Sequence, residues 1–114
     1  MKLQKLIERM DLEVRSGRGA PDVEIRRGYV SDLLSDVIAH AQEAELWITL
    51  QTHVNIVAVA SMKGLAGIIL VQGREPERAT VERAEKEKVP ILVTKLPAYE
   101  MAGKLYDLLN AEKG

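Results

Sequence analysis

The 114-residue sequence contains no cysteine and no phenylalanine, and aromatic residues make up only 4% of it. The absence of cysteine excludes disulfides, thiol nucleophiles and sulfur-ligated metals, and two histidines are too few to predict a structural zinc site. The scarcity of aromatic residues leaves valine, isoleucine, leucine and alanine to form the core. We therefore expect no metal and no cofactor, and a cytoplasmic location.

An excess of charge of either sign and a long apolar run are also missing. Sixteen Lys and Arg residues against 17 Asp and Glu residues give a net charge of -1, so no strong field attracts nucleic acid or anionic lipid. The apolar runs are interrupted at Gly64 and Gly67 and are shorter than the roughly 18 residues that a membrane helix needs. We expect a single domain over residues 1–114 that binds neither nucleic acid nor membrane.

Apolar patterns with the period of strands alternate along the chain with patterns typical of helices. Strands are predicted at residues 12–15, 23–30, 45–51, 66–71 and 89–94. Helices are predicted at residues 2–10, 32–42, 52–63, 76–88 and from 97 onward, with a tail that frays after Asn110. Continuously apolar strands are typical of a sheet that is covered on both faces. The sequence predicts an α/β fold, a single three-layer α/β/α domain with a mostly parallel central sheet of about five strands.

Several local features carry their own predictions. Gly28 interrupts an alternating strand and indicates either a bulge or a close backbone approach. Ser31 is a candidate N-cap for helix 32–42, on which five apolar residues share one face, namely Leu33, Leu34, Val37, Ile38 and Ala41. Asp32, Asp36 and His40 are spaced four apart, which is typical of a solvated face, although a metal or acid-base row is the alternative. Gly17-x-Gly19 indicates a plain turn, because no phosphate-loop ending follows it.

Two further helices depend on capping and charge. The run Ile56–Ala60 is compatible with a strand, but Thr52 or Asn55 as a cap and Gly64 as a left-handed end favour a helix. The helix at 76–88 has few inward apolar residues, and Glu82 and Lys86 are available as an i, i+4 pair on its surface.

Polar residues follow three of the predicted parallel strands, at 51–55, 72–75 and 94–97. Because parallel strands place their carboxyl ends at one edge of a sheet, these turns should be neighbours. Helix N-termini together with Arg74 and Lys95 suit a phosphate or carboxylate, which predicts a small anionic metabolite as the ligand. The alternative is that Thr52, Asn55 and Glu75 only cap helices while the two basic residues are solvated.

The chain resembles the DRTGG domain family at two stretches, Gly28-Tyr29-Val30-Ser31-Asp32-Leu33-Leu34-Ser35-Asp36 and residues 47–60, Trp47-Ile48-Thr49-Leu50-Gln51-Thr52-His53-Val54-Asn55 continuing to Ala60. The resemblance implies a fold similar to the N-terminal domain of HPr kinase/phosphorylase and a regulatory or interaction module, generally homodimeric, without chemistry of its own. Glu24-Ile25-Arg26-Arg27-Gly28 stands where Asp-Arg-Thr-Gly-Gly is expected, so only the final glycine matches. No phosphate-binding loop is present, and kinase activity is not carried over.

The hypothesis that follows is a stand-alone, non-catalytic regulatory module, a homodimer that binds a small anionic metabolite or a partner enzyme. One alternative is a protein-interaction subunit with no small-molecule ligand. Another is a small hydrolase or transferase that uses His53 with Asp32 or Ser31, although no motif is present to activate a hydroxyl. The predicted ligand-binding residues are Gly28, Tyr29, Ser31, Asp32 and Ser35 on one wall, and Thr49, Gln51, Thr52, His53 and Asn55 on the other.

Overall fold

In residues 1–113, which the computed structural model describes, five strands form one sheet and five helices cover its two faces. The strands are β1 (Glu13–Ser16), β2 (Arg27–Val30), β3 (Glu45–Thr49), β4 (Gly67–Leu70) and β5 (Ile91–Val93). The helices are α1 (Leu3–Met10), α2 (Leu34–His40), α3 (Asn55–Lys63), α4 (Arg78–Glu87) and α5 (Ala98–Lys113).

The sheet has the strand order β1-β5-β4-β3-β2. The pairs β2–β3, β3–β4 and β4–β5 are parallel, whereas β1 pairs with β5 in antiparallel orientation. The predicted α/β fold with a mostly parallel five-stranded sheet is confirmed. Strand β2 pairs with β3 alone and forms one edge of the sheet.

Each face of the sheet has its own apolar core, which makes the domain three layers thick. Helices α1 and α5 place Leu6, Met101 and Leu105 against one face, where they meet Leu46 and Ile48 of β3. Helices α2, α3 and α4 cover the other face, and the residues packed there include Val37, Ile56, Ala84 and Trp47. Strands β3, β4 and β5 are buried throughout because helices lie on both sides of them.

The predicted strand at 23–30 is shorter than expected. Its first half pairs with the segment before α1, since Ile25 N–H donates to the carbonyl of Met1 at 2.9 Å and the amide of Leu3 donates to Val23. The register of β2 with β3 runs without interruption from Arg27 to Val30, so Gly28 is not a bulge. A Cβ on Gly28 would lie 2.7 Å from Leu105 Cδ2, so the close backbone approach, the other prediction for this glycine, is confirmed.

Helix α2 begins later than predicted, and Ser31 is not its N-cap. The residue before the helix is Leu33, and Ser31 Oγ instead accepts a hydrogen bond from Leu33 N–H at 3.2 Å in the preceding turn. Of the five apolar residues assigned to one inward face, Leu33 is 67% exposed and Ile38 is 43% exposed. Leu33 precedes the helix in an extended conformation, and Val37 and Ala41 are the residues of this set that are buried.

Helix α3 confirms the helical interpretation of the run 56–60, and Gly64 ends it with a left-handed φ of 66°. The predicted caps are wrong, because Val54 occupies the N-cap position and the side chain that accepts from the first helical amide is that of His53, not Thr52 or Asn55. In α4, Glu82 pairs with Arg78 at 3.4 Å, not with the Lys86 that the sequence suggested.

The C-terminal segment does not fray after Asn110. Helix α5 continues to Lys113, and Glu112 lies 3.3 Å from Lys5 Nζ of α1. Within the part of the chain that the structure describes, every helix is too short or too polar to span a bilayer.

Candidate functional site

The loops at the carboxyl ends of the parallel strands are neighbours, as the sequence predicts, and backbone hydrogen bonds join them. The carbonyl of Thr52, after β3, accepts hydrogen bonds from Glu77 N–H at 3.2 Å and from Thr80 Oγ1 at 2.7 Å at the start of α4. The amide of Gln72, after β4, donates to the carbonyl of Leu96, after β5, at 2.9 Å. The loops therefore form one connected surface, which we call the polar edge: residues 31–33, 50–55, 72–77 and 94–97.

Asp32 connects the end of β2 to the end of β3 within the polar edge. Its Oδ1 accepts hydrogen bonds from Thr49 Oγ1 and from the backbone N–H of Leu50, both at 2.8 Å. The Nε2 of Gln51 donates to the backbone carbonyl of Asp32 at 2.9 Å, so the contact is made from both sides. Thr49 is only 2% exposed, which means that the Asp32 carboxylate satisfies a buried hydroxyl.

A second contact fixes the end of β2 from inside the protein. The indole Nε1 of Trp47, whose side chain is fully buried, donates to the backbone carbonyl of Ser31 at 2.7 Å. The edge strand therefore leaves the sheet at a position that is held on one side by Trp47 and on the other by Thr49 and Gln51.

Tyr29, Asp36 and His40 form a cluster on the α2 side of β2. Tyr29 OH donates to Asp36 Oδ2 at 2.8 Å, and His40 Nδ1 lies 3.0 Å from Asp36 Oδ1. Hydrogen bonds from Ser31, Tyr29 and His40 lower the pKa of Asp36, and the same contact with Asp36 raises the pKa of Tyr29. Asp36 and His40 thus form part of the row that the sequence suggested, whereas Asp32 precedes α2 and contacts β3.

The hydrolase or transferase alternative requires His53 to contact Asp32 or Ser31. The Nδ1 of His53 instead accepts a hydrogen bond from Asn55 N–H at 3.3 Å. Asp32 binds Thr49 and Leu50, and Ser31 binds Leu33. Within residues 1–112, no hydrogen bond joins His53 to a carboxylate or hydroxyl, and no three acidic or histidine side chains are arranged to hold a metal ion.

The predicted ligand-binding residues fall into three groups. Those joined directly at the polar edge are Asp32, Thr49 and Gln51, with Ser31 held through its carbonyl. His53 and Asn55 are exposed at the start of α3, beside the half-buried Thr52. Gly28 faces α5, Tyr29 faces α2, and Ser35 is exposed in the first turn of α2, so these three do not share the wall predicted for them.

At the polar edge the basic residues are exposed, whereas the acidic Glu75 is held in an ion pair. Arg74 and Lys95 are exposed, but Glu75 is bound by Arg15 of β1, with Nε–Oε1 and Nη2–Oε2 distances of 2.6 and 2.9 Å. This pair lowers the pKa of Glu75 and raises that of Arg15. Sequence reasoning missed Arg15 because it lies 60 positions from Glu75 and only the antiparallel pairing of β1 with β5 brings the two together.

Two concavities lie next to the polar edge. One, of about 470 Å³, is lined by the Arg15–Glu75 pair together with Lys95 and Lys104. The other, of about 370 Å³, lies between β2 and α5 and has an apolar floor that includes Ile48 and Leu105. Of the residues that form it, Gly28 was among the predicted site residues, whereas those of α5 were not predicted, since α5 shows only an amphipathic pattern in the sequence.

Comparison with known proteins agrees with this architecture. One solved structure similar to the chain contains the CBS and DRTGG domains of the regulatory region of Clostridium perfringens pyrophosphatase, in complex with its activator diadenosine tetraphosphate. The TM-score is 0.67 at 15% sequence identity, and the match covers 90% of this chain. The match covers 44% of that structure's chain, so the present chain spans less than half of it.

A search of curated proteins found no match. The family model for the DRTGG domain matches residues 6–108, which include both stretches that carry the resemblance in the sequence. With nearly its whole length matched, the chain belongs to the DRTGG domain family.

Proposed function

We propose that the chain is a stand-alone, non-catalytic regulatory module that senses a small anionic metabolite at the polar edge. Its output is a contact between the edge strand β2 and another protein chain, either a second copy in a homodimer or a partner enzyme. The observation that carries this proposal is the position of Asp32, which lies two residues after β2 and is hydrogen-bonded to Thr49 and Leu50 at the end of β3.

The charge at the polar edge supports an anionic ligand. The first amides of α3 are bonded locally, Asn55 N–H to His53 Nδ1 and Ile56 N–H to the His53 carbonyl, so an anion here would meet the positive end of the helix dipole. His53 and Asn55 are exposed at this helix start. Arg74 and Lys95 add positive charge on the neighbouring loops. The positive end of a helix dipole and neighbouring basic side chains both stabilise an anion. The activator in the similar pyrophosphatase region is itself a polyanionic nucleotide, which supports the same ligand class here.

A ligand at this position can act on β2 through Gln51. The Gln51 side chain holds the backbone carbonyl of Asp32, so a ligand that recruits the Gln51 amide releases that carbonyl. Val30 lies two positions before Asp32 and Leu33 directly follows it. Their side chains are 52% and 67% exposed and available to a partner chain. Ligand binding would therefore change the end of the edge strand that a partner contacts.

The test combines thermal shift and titration calorimetry with a panel of adenine nucleotides, diadenosine tetraphosphate, acetyl phosphate and sugar phosphates. We expect one class to stabilise the wild-type chain and the response to be lost in the double variant Gln51→Ala/His53→Ala. The matched control is His40→Ala/Gln42→Ala. It removes the same two residue types between α2 and the start of β3, at the end of the sheet opposite the polar edge. Loss of the response in the control as well, or no response from any compound, would contradict ligand sensing at the polar edge.

The alternative of a protein-interaction subunit without a small ligand is favoured by one observation. Val30, Tyr99 and Tyr106 line a shallow apolar surface beside the unpaired edge of β2. Light scattering after gel filtration separates the two functions. A dimer that dissociates in Tyr99→Ser/Tyr106→Ser, combined with no response to the panel, would favour the interaction subunit.

A further inference from the structure

The concavity between β2 and α5 lies outside the polar edge, and we call it the β2/α5 groove. Its volume is about 370 Å³, which is within the range of small-molecule sites, roughly 300 to 1,000 Å³. The groove is lined on the β2 side by Arg26, Gly28 and Val30 and on the α5 side by Leu105, Tyr106 and Asn110.

Gly28 sets how closely α5 approaches the strand. Its backbone lies against Leu105, because a Cβ there would be only 2.7 Å from Leu105 Cδ2 and 3.7 Å from Ile48 Cδ1. Ile48 is fully buried and Leu105 is 2% exposed, so the floor of the groove is apolar and packed. Since β2 is an edge strand, no further strand of the described chain closes the groove from the side.

The rim of the groove adds one uncompensated positive charge to this apolar floor. The Arg27 guanidinium is paired with the buried carboxylate of Glu45. Arg26 is exposed, and no acidic side chain among residues 1–112 forms an ion pair with it. Tyr106 stands over the opposite side with 70% of its surface exposed, and Asn110 offers an amide beside it.

We propose that the β2/α5 groove binds a small amphipathic anion. Its planar or branched apolar body lies above the packed Ile48–Leu105 floor, between the exposed Val30 side chain and the Tyr106 ring, and its carboxylate or phosphate meets the Arg26 guanidinium. An apolar floor beside a single unpaired cation selects for this combination, since a neutral apolar ligand leaves the charge unused and a polar anion leaves the floor wet. The groove shares no side-chain contact with Gln51 or His53, so its failure and the failure of sensing at the polar edge are separate results.

The probes are the aromatic sulfonate 8-anilinonaphthalene-1-sulfonate and its uncharged counterpart N-phenyl-1-naphthylamine. Both fluoresce when they enter an apolar site, and they differ in the anionic group alone. We expect saturable binding of the sulfonate at one site per chain. Arg26→Gln should weaken the sulfonate about five- to tenfold and leave the neutral probe unchanged, because only the former loses a charge-assisted contact.

Matched variants place the site. Tyr106→Ser should weaken both probes, whereas Tyr99→Ser, which removes the 90% exposed tyrosine outside the groove, should weaken neither. Arg78→Gln is the control for charge, since Arg78 is 94% exposed on the distant helix α4. Denaturation monitored by Trp47 fluorescence checks that each variant is folded.

Competition by aromatic carboxylates or by nucleoside monophosphates then distinguishes a carboxylate from a phosphate as the natural anionic group. Displacement of the sulfonate by either class, with the variant pattern above, supports the proposal. Non-saturable binding, or equal effects of Arg26→Gln and Arg78→Gln, would overturn it. Sulfonate affinity that falls as the protein concentration rises would also overturn it, because a second copy would then occupy the groove.

Discussion

Replacing Asp32 tests the connection between the edge strand and the rest of the sheet. In Asp32→Ala, Thr49 Oγ1 and the backbone N–H of Leu50 both lose the carboxylate oxygen that accepts from them at 2.8 Å. Thr49 is 2% exposed, so water does not easily replace the lost acceptor, whereas the exposed Leu50 amide can be hydrated. We expect the free energy of unfolding to fall by about 2 kcal/mol, mostly from the unsatisfied buried hydroxyl.

Two further variants divide this loss. Asp32→Asn keeps an acceptor oxygen but removes its charge, and we expect a cost of about 1 kcal/mol. In the double variant Asp32→Ala/Thr49→Val the buried hydroxyl is absent, so the two single costs should exceed the double cost by about 1 kcal/mol.

Urea unfolding monitored by Trp47 fluorescence is the direct assay, since Trp47 is the single tryptophan and its indole is bonded to the Ser31 carbonyl next to Asp32. The control is Glu85→Ala on the exposed face of α4, which also removes one carboxylate and should change stability by less than about 0.5 kcal/mol. If Asp32→Ala is no less stable than Glu85→Ala, Asp32 does not anchor β2 to β3 and the mechanism proposed for ligand sensing is refuted.

Three other predictions concern single positions. Gly103→Ala in α5, where a Cβ meets nothing within 4 Å, should stabilise the protein by about 0.5 to 1 kcal/mol in the same urea assay, and a loss of stability would mean that this helix face is not free. Gly17→Ala should destabilise it by about 1 to 3 kcal/mol, since Gly17 has a φ of +84° and its Cβ would lie 2.5 Å from Pro90 Cα; an unchanged urea midpoint would show that the turn relaxes freely. Tyr29→Phe should raise the pKa of Asp36 by removing a hydrogen bond to its carboxylate, as measured by carbon NMR titration of the carboxyl group. Because the folded-state pKa of Asp36 is lowered, the stability that Asp36 contributes is fully present above its unfolded pKa of about 4. That stability is lost as the pH falls through the folded-state pKa. Acid unfolding of Tyr29→Phe should therefore begin at a higher pH than acid unfolding of the wild type. An unshifted Asp36 titration in Tyr29→Phe would contradict this explanation.

The hydrogen bonds at the polar edge provide the route by which the proposed ligand would act on the edge strand. The loops after β2 and β3 are joined through Asp32, and the loop after β3 is joined to α4 through the carbonyl of Thr52. Under the proposed function, a ligand that changes one of these contacts would alter the position of β2, which lies at the end of the strand order. The proposed regulation would therefore depend on the same few hydrogen bonds that hold β2 to the sheet.

Local sequence patterns were sufficient for most of the elements. The continuously apolar segments became the buried strands β3, β4 and β5, because a strand covered on both faces requires apolar residues at every position. Gly64 ended α3 as predicted, since a left-handed residue costs glycine little. The two stretches that resemble DRTGG domains also identified the family, which the match over residues 6–108 confirms.

Contacts between distant residues could not be predicted in this way. Ser31 had the residue type of an N-cap, but the Trp47 indole and the Asp32 contact with Thr49 hold the chain in a turn and delay the start of α2. The end of α5 was predicted to fray because it is a chain terminus, yet Glu112 is held by Lys5 of α1.

The sequence by itself determined the composition of the core, the succession of strands and helices along the chain and the family, because these depend on residue type and spacing along the chain. Only the tertiary structure decided which polar side chains meet. It joined Asp32 to Thr49, paired Arg15 with Glu75 and placed Gly28 against Leu105 to form one wall of a groove. Such contacts depend on strand order and helix position, which bring together residues up to tens of positions apart, and local spacing carries no information about them.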